Sequence, residues 1–115
     1  MRDGVVLLAA VTFGSAGCEK SCQNTCRHIF DGTECGVTIA GQSEEDLEQE
    51  CTAECEDALQ HAGPMGVYDP YQGNTAQQPD ELENERMAAA WMECVWAVEC
   101  DDLQVPGNSC HPIGI

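Results

Sequence analysis

The sequence predicts an all-α domain, a small bundle of about three helices stapled by disulfides. Two observations carry that prediction: cysteines recurring at helical spacing, and a composition too polar to fold by hydrophobic burial alone. The chain has 115 residues, 9 of them cysteine, and its 21 acidic against 4 basic side chains give a formal net charge of −17. So many cysteines in so short a chain point to a disulfide scaffold made in an oxidising compartment. Charge of this sign repels nucleic acid and anionic lipid surfaces, which excludes a phosphate-backbone binder.

The first helix is expected from Glu19 to Phe30, with Cys18, Cys22, Cys26 and Phe30 four apart on one stripe and Asp31-Gly32 as its stop. A second opens at Ser43, with Asp46 three residues on as a capping-box variant and Glu44, Glu45 and Asp46 at the positive end of the helix dipole. Its inward stripe reads Leu47, Cys51, Cys55, Ala58, Leu59 and Ala62, closed by Gly63-Pro64. The third is expected to start at Pro79, followed by Asp80 and Glu81, and to carry Met87, Trp91, Cys94 and Val98 on its apolar face. Residues 64–78 read as an irregular surface loop and residues 111–115 as a C-terminal tail. Val37-Thr38-Ile39 has β propensity but is too short to support a sheet by itself.

Cys22-x3-Cys26 and Cys51-x3-Cys55 place two cysteines on one face of each helix, about 6 Å apart along the axis. Two such helices side by side are stapled twice. Antiparallel packing pairs Cys22 with Cys55 and Cys26 with Cys51, whereas parallel packing pairs Cys22 with Cys51; sequential helices with a modest connection favour the antiparallel hairpin. Cys94 and Cys100, six apart on the expected third helix, lie about 240° apart around its axis and face different partners. Cys94 is assigned to Cys35, and Cys100 to Cys110 in the returning tail. At roughly 2 to 4 kcal/mol each, four such bridges match the stability of an ordinary domain.

The N-terminus has the pattern of an export signal: Met1-Arg2-Asp3, an apolar run from Val5 to Phe13, then Gly14-Ser15-Ala16-Gly17 ahead of Cys18. The run would span about 14 Å as a helix, roughly half a bilayer core. Residues 1–17 are therefore read as a signal peptide and 18–110 as the domain. Ala16, Gly17 and Cys18 resemble the bacterial lipoprotein signal, in which the cysteine is lipidated and the preceding peptide removed. Ser15 departs from the Leu usual there, and ordinary signal-peptidase cleavage after Gly17 is the alternative. Cysteine parity favours lipidation at Cys18, because it leaves an even set of eight. Removal of the signal leaves 98 residues in which Leu, Ile, Val and Phe number 14, a proportion at which a highly charged chain is normally disordered.

Cys18, the twin Cys-x3-Cys pairs, and Trp91-Met92-Glu93-Cys94 leading to Cys100-Asp101-Asp102-Leu103 and Cys110 resemble the short, acidic, cysteine-rich lipoproteins of myxobacteria. That family brings no established activity. Twin Cys-x3-Cys hairpins also occur in small chaperones of the mitochondrial intermembrane space; with their shorter spacer and no cleaved signal, they support only the hairpin geometry.

The sequence contains no Gly-x-Ser-x-Gly elbow, His-Glu-x-x-His pair, phosphate loop or dinucleotide fingerprint, and its many carboxylates make any single pair uninformative. A thiol oxidoreductase of the Cys-x2-Cys type is not expected either, since Glu50, Glu54 and Glu56 flank the second pair and disfavour a thiolate. No catalytic residue, cofactor, metal ligand or small-molecule substrate is assigned. His28, His61 and His111 have no paired spacing for zinc and read as solvated or capping groups.

The expected function is that of a non-enzymatic, membrane-anchored envelope lipoprotein, structural or partner-binding. Its alternative is a secreted disulfide-rich protein or a weak divalent-cation module. Glu44, Glu45, Glu48, Glu54 and Asp57 form an acidic face that solvates the second helix or recruits a basic envelope protein. Trp96, pointing away from Trp91, is the best candidate for a partner contact, with Tyr68 and Tyr71 of the 64–78 loop as further candidates; tyrosines in such a loop more often fold back over a thin core.

Overall fold

The computed structural model describes residues 20–72, 81–104 and 109–112. The expected signal peptide, Cys18 and Pro79 lie outside them. Four helices follow one another: α1 (Cys22–Phe30), α2 (Glu44–Leu59), α3 (Glu85–Ala97) and the short α4 (Cys100–Gln104), with a 3-10 turn at Pro70–Gln72. Among the described residues there is no strand, and the Val37-Thr38-Ile39 run lies in the connection between α1 and α2.

Local chemistry sets the helix ends. Ser21 caps α1 by accepting from the Asn24 N–H at 3.1 Å, and Ser43 caps α2 by accepting from the Asp46 N–H at 3.1 Å. Helix α1 thus begins after Ser21 and not at Glu19. Helix α2 ends at Leu59, before Gly63-Pro64, and two expected core positions are corrected with it. Leu59 is 41 % exposed and Ala62 lies exposed beyond the helix, because the stripe stops at Ala58 when Gln60 turns its N–H back to the Ala58 and Asp57 carbonyls.

The start of α3 is also corrected. Glu81 to Glu83 are not helical; Asn84 caps the helix, its Oδ1 accepting from the Arg86 and Met87 N–H groups at 3.1 and 3.0 Å. Its Nδ2 donates to the Pro64 carbonyl at 3.0 Å, so one buried side chain ties the start of α3 to the end of the α2 segment. Gly63 lies against it, and a Cβ there would approach Nδ2 to 2.7 Å.

Helices α1 and α2 are antiparallel and doubly bridged. Cys22 is bonded to Cys55 and Cys26 to Cys51, with Cα separations of 5.7 and 5.8 Å that hold the axes evenly spaced over one turn. Around these sulfurs Ile29, Phe30, Leu47, Ala58, Met87, Ala88, Trp91 and Val95 form one buried cluster, which Tyr68, Leu82 and Leu103 extend. Val98, expected on the α3 stripe, is only half-buried and marks the end of the helix.

The remaining two bridges differ from the expected assignment: Cys35 is bonded to Cys100 and Cys94 to Cys110. The third helix does not continue through Cys100. It breaks at Val98 and Glu99, and α4 restarts beside the loop that leaves α1. That loop folds back at once, since the Cys35 and Val37 N–H groups donate to the His28 and Ile29 carbonyls at 3.0 and 2.8 Å and Gly36 takes a left-handed φ of 62°. Cys35 is therefore kept at the C-terminal end of α1, out of reach of Cys94.

Cys94 faces the core beside Trp91, where the tail enters. Cys110 is held there by its N–H to the Pro70 carbonyl at 2.6 Å and by its carbonyl, which accepts from Trp91 Nε1 at 3.1 Å. These ties and the disulfide hold Cys110 at φ 58°, a conformation that a residue with a side chain adopts only when its surroundings over-determine it.

Peptide mapping without reductant is expected to recover Cys35 joined to Cys100 and Cys94 joined to Cys110; a Cys35–Cys94 peptide would contradict the break at Val98. Asn84→Ala removes the α3 cap and the tie to Pro64 and is expected to lower the unfolding free energy by roughly 2 kcal/mol in urea titration.

Candidate functional site

Four segments converge at the C-terminal end of α1. Thr25 and His28, one turn apart, lie on the side of α1 facing α3. After α1, Asp31 nucleates a tight turn: its Oδ1 accepts from the Thr33 N–H and hydroxyl, both at 2.8 Å, and the Glu34 N–H donates to its carbonyl at 2.9 Å. These bonds to Thr33 hold the Asp31 carboxyl below its ordinary range. The turn carries Glu34 and Cys35 back onto His28.

The His28 ring is consequently bound on three sides. Nδ1 lies 2.8 Å from Glu34 Oε1, and Nε2 lies 3.6 Å from Cys35 Sγ. Trp96 of α3 stacks on the ring, with centroids 4.2 Å apart and planes inclined at 22°. Trp96 Nε1 donates to Thr25 Oγ1 at 3.0 Å, which satisfies the fully buried threonine hydroxyl and fixes the indole. Cys35 Sγ belongs to the bond with Cys100, the first residue of α4. Since a carboxylate only accepts, Glu34 sets the proton on Nδ1, and Nε2 is the nitrogen that addresses the sulfur.

A second polar cluster closes the far side of the core. The Tyr68 hydroxyl donates to the His111 carbonyl at 2.7 Å, and burial pushes its phenol well above the ordinary tyrosine value. Glu54 turns inward from α2 to accept from the Leu82 N–H at 3.1 Å. Its carboxyl is raised, first by burial, against the effect of that hydrogen bond, and further by Glu81.

The sequence-assigned residues separate accordingly. Cys18 lies outside the described residues. Tyr68 is buried under the tail and is not a surface contact, whereas Tyr71 is 53 % exposed. Trp96 is half-buried and engaged with Thr25 and His28. On the acidic face Glu44, Glu45 and Asp57 are exposed and Glu48 is half-buried, but Glu54 leaves that face for Leu82.

Asp31, Glu44 and Glu48 bring carboxylate oxygens within 4.8 Å of one another, and desolvation together with Asp31 and Glu44 raises the Glu48 carboxyl. Sequence reasoning missed the His28 constellation. Helical periodicity does not relate His28 to Cys35, because α1 ends between them, and the Asp31-Gly32 stop was the one visible sign of the constellation.

Among the described residues no helix is long and apolar enough to cross a membrane. Comparison with family models, curated proteins and solved structures finds no match for this chain. The four disulfides fit a protein that folds outside the reducing cytosol, exported to an envelope or secreted.

The raised Glu54 carboxyl has a consequence for stability. A carboxyl whose folded pKa exceeds its ordinary value of 4.5 favours the fold fully below that value, and the contribution is lost as pH rises through the folded pKa. Acidification from neutral toward about pH 5 is therefore expected to raise the thermal midpoint. Glu54→Gln, which keeps an acceptor for Leu82, is expected to flatten that dependence, and an unchanged pH profile would contradict the assignment.

Proposed function

We propose that this chain is a lipid-anchored envelope protein of non-enzymatic type, a rigid structural or partner-binding component held at a membrane through Cys18. The observation that carries the reading is the cysteine account. Four disulfides use eight of the nine cysteines, and Cys18, directly after the small residues of an export signal, is the one not among them. The resemblance to the short acidic cysteine-rich lipoproteins of myxobacteria supports the same reading.

A basic envelope protein is the proposed partner class, matched to the net charge of −17. Val67 and Tyr71, 71 % and 53 % exposed, supply the apolar contacts that Tyr68 does not. A binding or scaffolding role also suits a domain whose helices are cross-linked by four bridges.

Mass spectrometry of the mature protein from native membranes tests the anchor. The expected N-terminus is Cys18 carrying a diacylglyceryl group. A mature chain with an unmodified Cys18, released from cells, would instead assign the secreted alternative.

A further inference from the structure

We propose that the Cys35–Cys100 disulfide is a thiol-exchange site, at which an incoming low-molecular-weight thiol is accepted on Cys100 and Cys35 is released against His28. This goes beyond the envelope role and does not depend on the anchor. Two independent observations single out the bond. In each of the other three bridges both cysteines are at most 3 % exposed, whereas Cys35 is half-buried and Cys100 is exposed. Among the described residues it is also the bridge with an imidazole nitrogen at one sulfur, Nε2 of His28 at 3.6 Å from Cys35 Sγ.

Exchange proceeds by attack of a thiolate on one sulfur and departure of the other, and it is faster the better the leaving thiolate is stabilised. The asymmetry here selects the direction. The thiol loses its proton and its sulfur bonds to Cys100 Sγ as the Cys35–Cys100 bond breaks. The electron pair of that bond leaves on Cys35 Sγ. The proton from the thiol comes to Nε2 of His28, so the products are a mixed disulfide at Cys100 and a Cys35 thiolate paired with imidazolium. A second equivalent of the same thiol, attacking the mixed disulfide, releases Cys100 as a thiol and leaves with the first as an external disulfide; Cys35 attacking it instead restores the original bond.

Glu34 is a positioning residue. At 2.8 Å from Nδ1 it holds that proton and leaves Nε2 to face the sulfur, while the Trp96 stack, fixed through Thr25, prevents the ring from turning away. A histidine that only solvated the helix end would need none of these three constraints.

The test treats the purified, disulfide-bonded full chain with limiting glutathione, quenches with acid, alkylates and maps the peptides. The expected result is that Cys35–Cys100 opens before any other bridge, with glutathione on Cys100 and the alkyl label on Cys35. His28→Asn is expected to slow this opening about tenfold while the other bridges react as before. Glutathione found on Cys35, an earlier opening of another bridge, or a folded His28→Asn variant reacting at the original rate or faster would each overturn the proposal. Should His28→Asn not fold, Glu34→Ala at the exposed partner of Nδ1 takes its place: it is expected to slow the opening of Cys35–Cys100 while the other bridges react as before, and an unchanged rate would overturn the proposal, because exposure of Cys100 alone does not depend on Glu34.

Discussion

The double staple between α1 and α2 is the constraint on which the rest of the structure depends. Cys22–Cys55 and Cys26–Cys51 fix the distance, direction and rotation of two helices whose own apolar surface is slight. Helix α2 buries little besides Leu47, its two cysteines and Ala58 while carrying acidic groups on its outer surface, so the sulfurs occupy the place that Leu or Ile fill in an ordinary bundle. Cross-linking removes freedom from the unfolded chain, which is the state that charge repulsion favours. With that hairpin fixed, α3 has a floor on which to bury Met87, Ala88, Trp91, Cys94 and Val95.

The two remaining bridges serve different ends of that floor. Cys94–Cys110 works with the Trp91 indole, the Pro70 carbonyl and the Tyr68 hydroxyl to seal the core under the tail, and all of these groups are buried or bonded. Cys35–Cys100 lies at the rim, joins the turn after α1 to the start of α4 and contributes little to the apolar cluster. A rim bond can change state with the hairpin intact. The same division explains why the stacked and hydrogen-bonded polar residues gather at this end: His28, Glu34, Thr25 and Trp96 satisfy one another where the apolar filling stops.

Much of the hairpin was legible in the sequence because its determinants are local. A spacing of four puts Cys22 with Cys26 and Cys51 with Cys55 on shared faces, and Ser43 announces the start of α2 by a side chain that needs only its own next turn. The partners of Cys35 and Cys94 were not legible, because they depend on a break at Val98-Glu99 that no glycine or proline marks. Helix α3 was anticipated on its Met87, Trp91 and Cys94 stripe, yet its start was misplaced toward Pro79. Asn84 is selected there by its buried bond to Pro64, a contact that periodicity does not encode. Tyr68 and Tyr71 were equivalent in sequence, and the tail, arriving from 43 residues away, distinguishes them by giving Tyr68 an acceptor. The His28 constellation depends in the same way on tertiary contacts of Trp96 and on a turn that brings Cys35 back across seven residues.

Covalent bonds, more than burial, hold this acidic chain folded. The most direct measurement is far-UV circular dichroism of the fully reduced, alkylated chain during a thermal scan at low ionic strength, beside the oxidised protein. The reduced chain is expected to lose most helical signal and to show no cooperative transition, while the oxidised chain retains both. A cooperative transition in the reduced chain near that of the oxidised protein would contradict this dependence on covalent bonds.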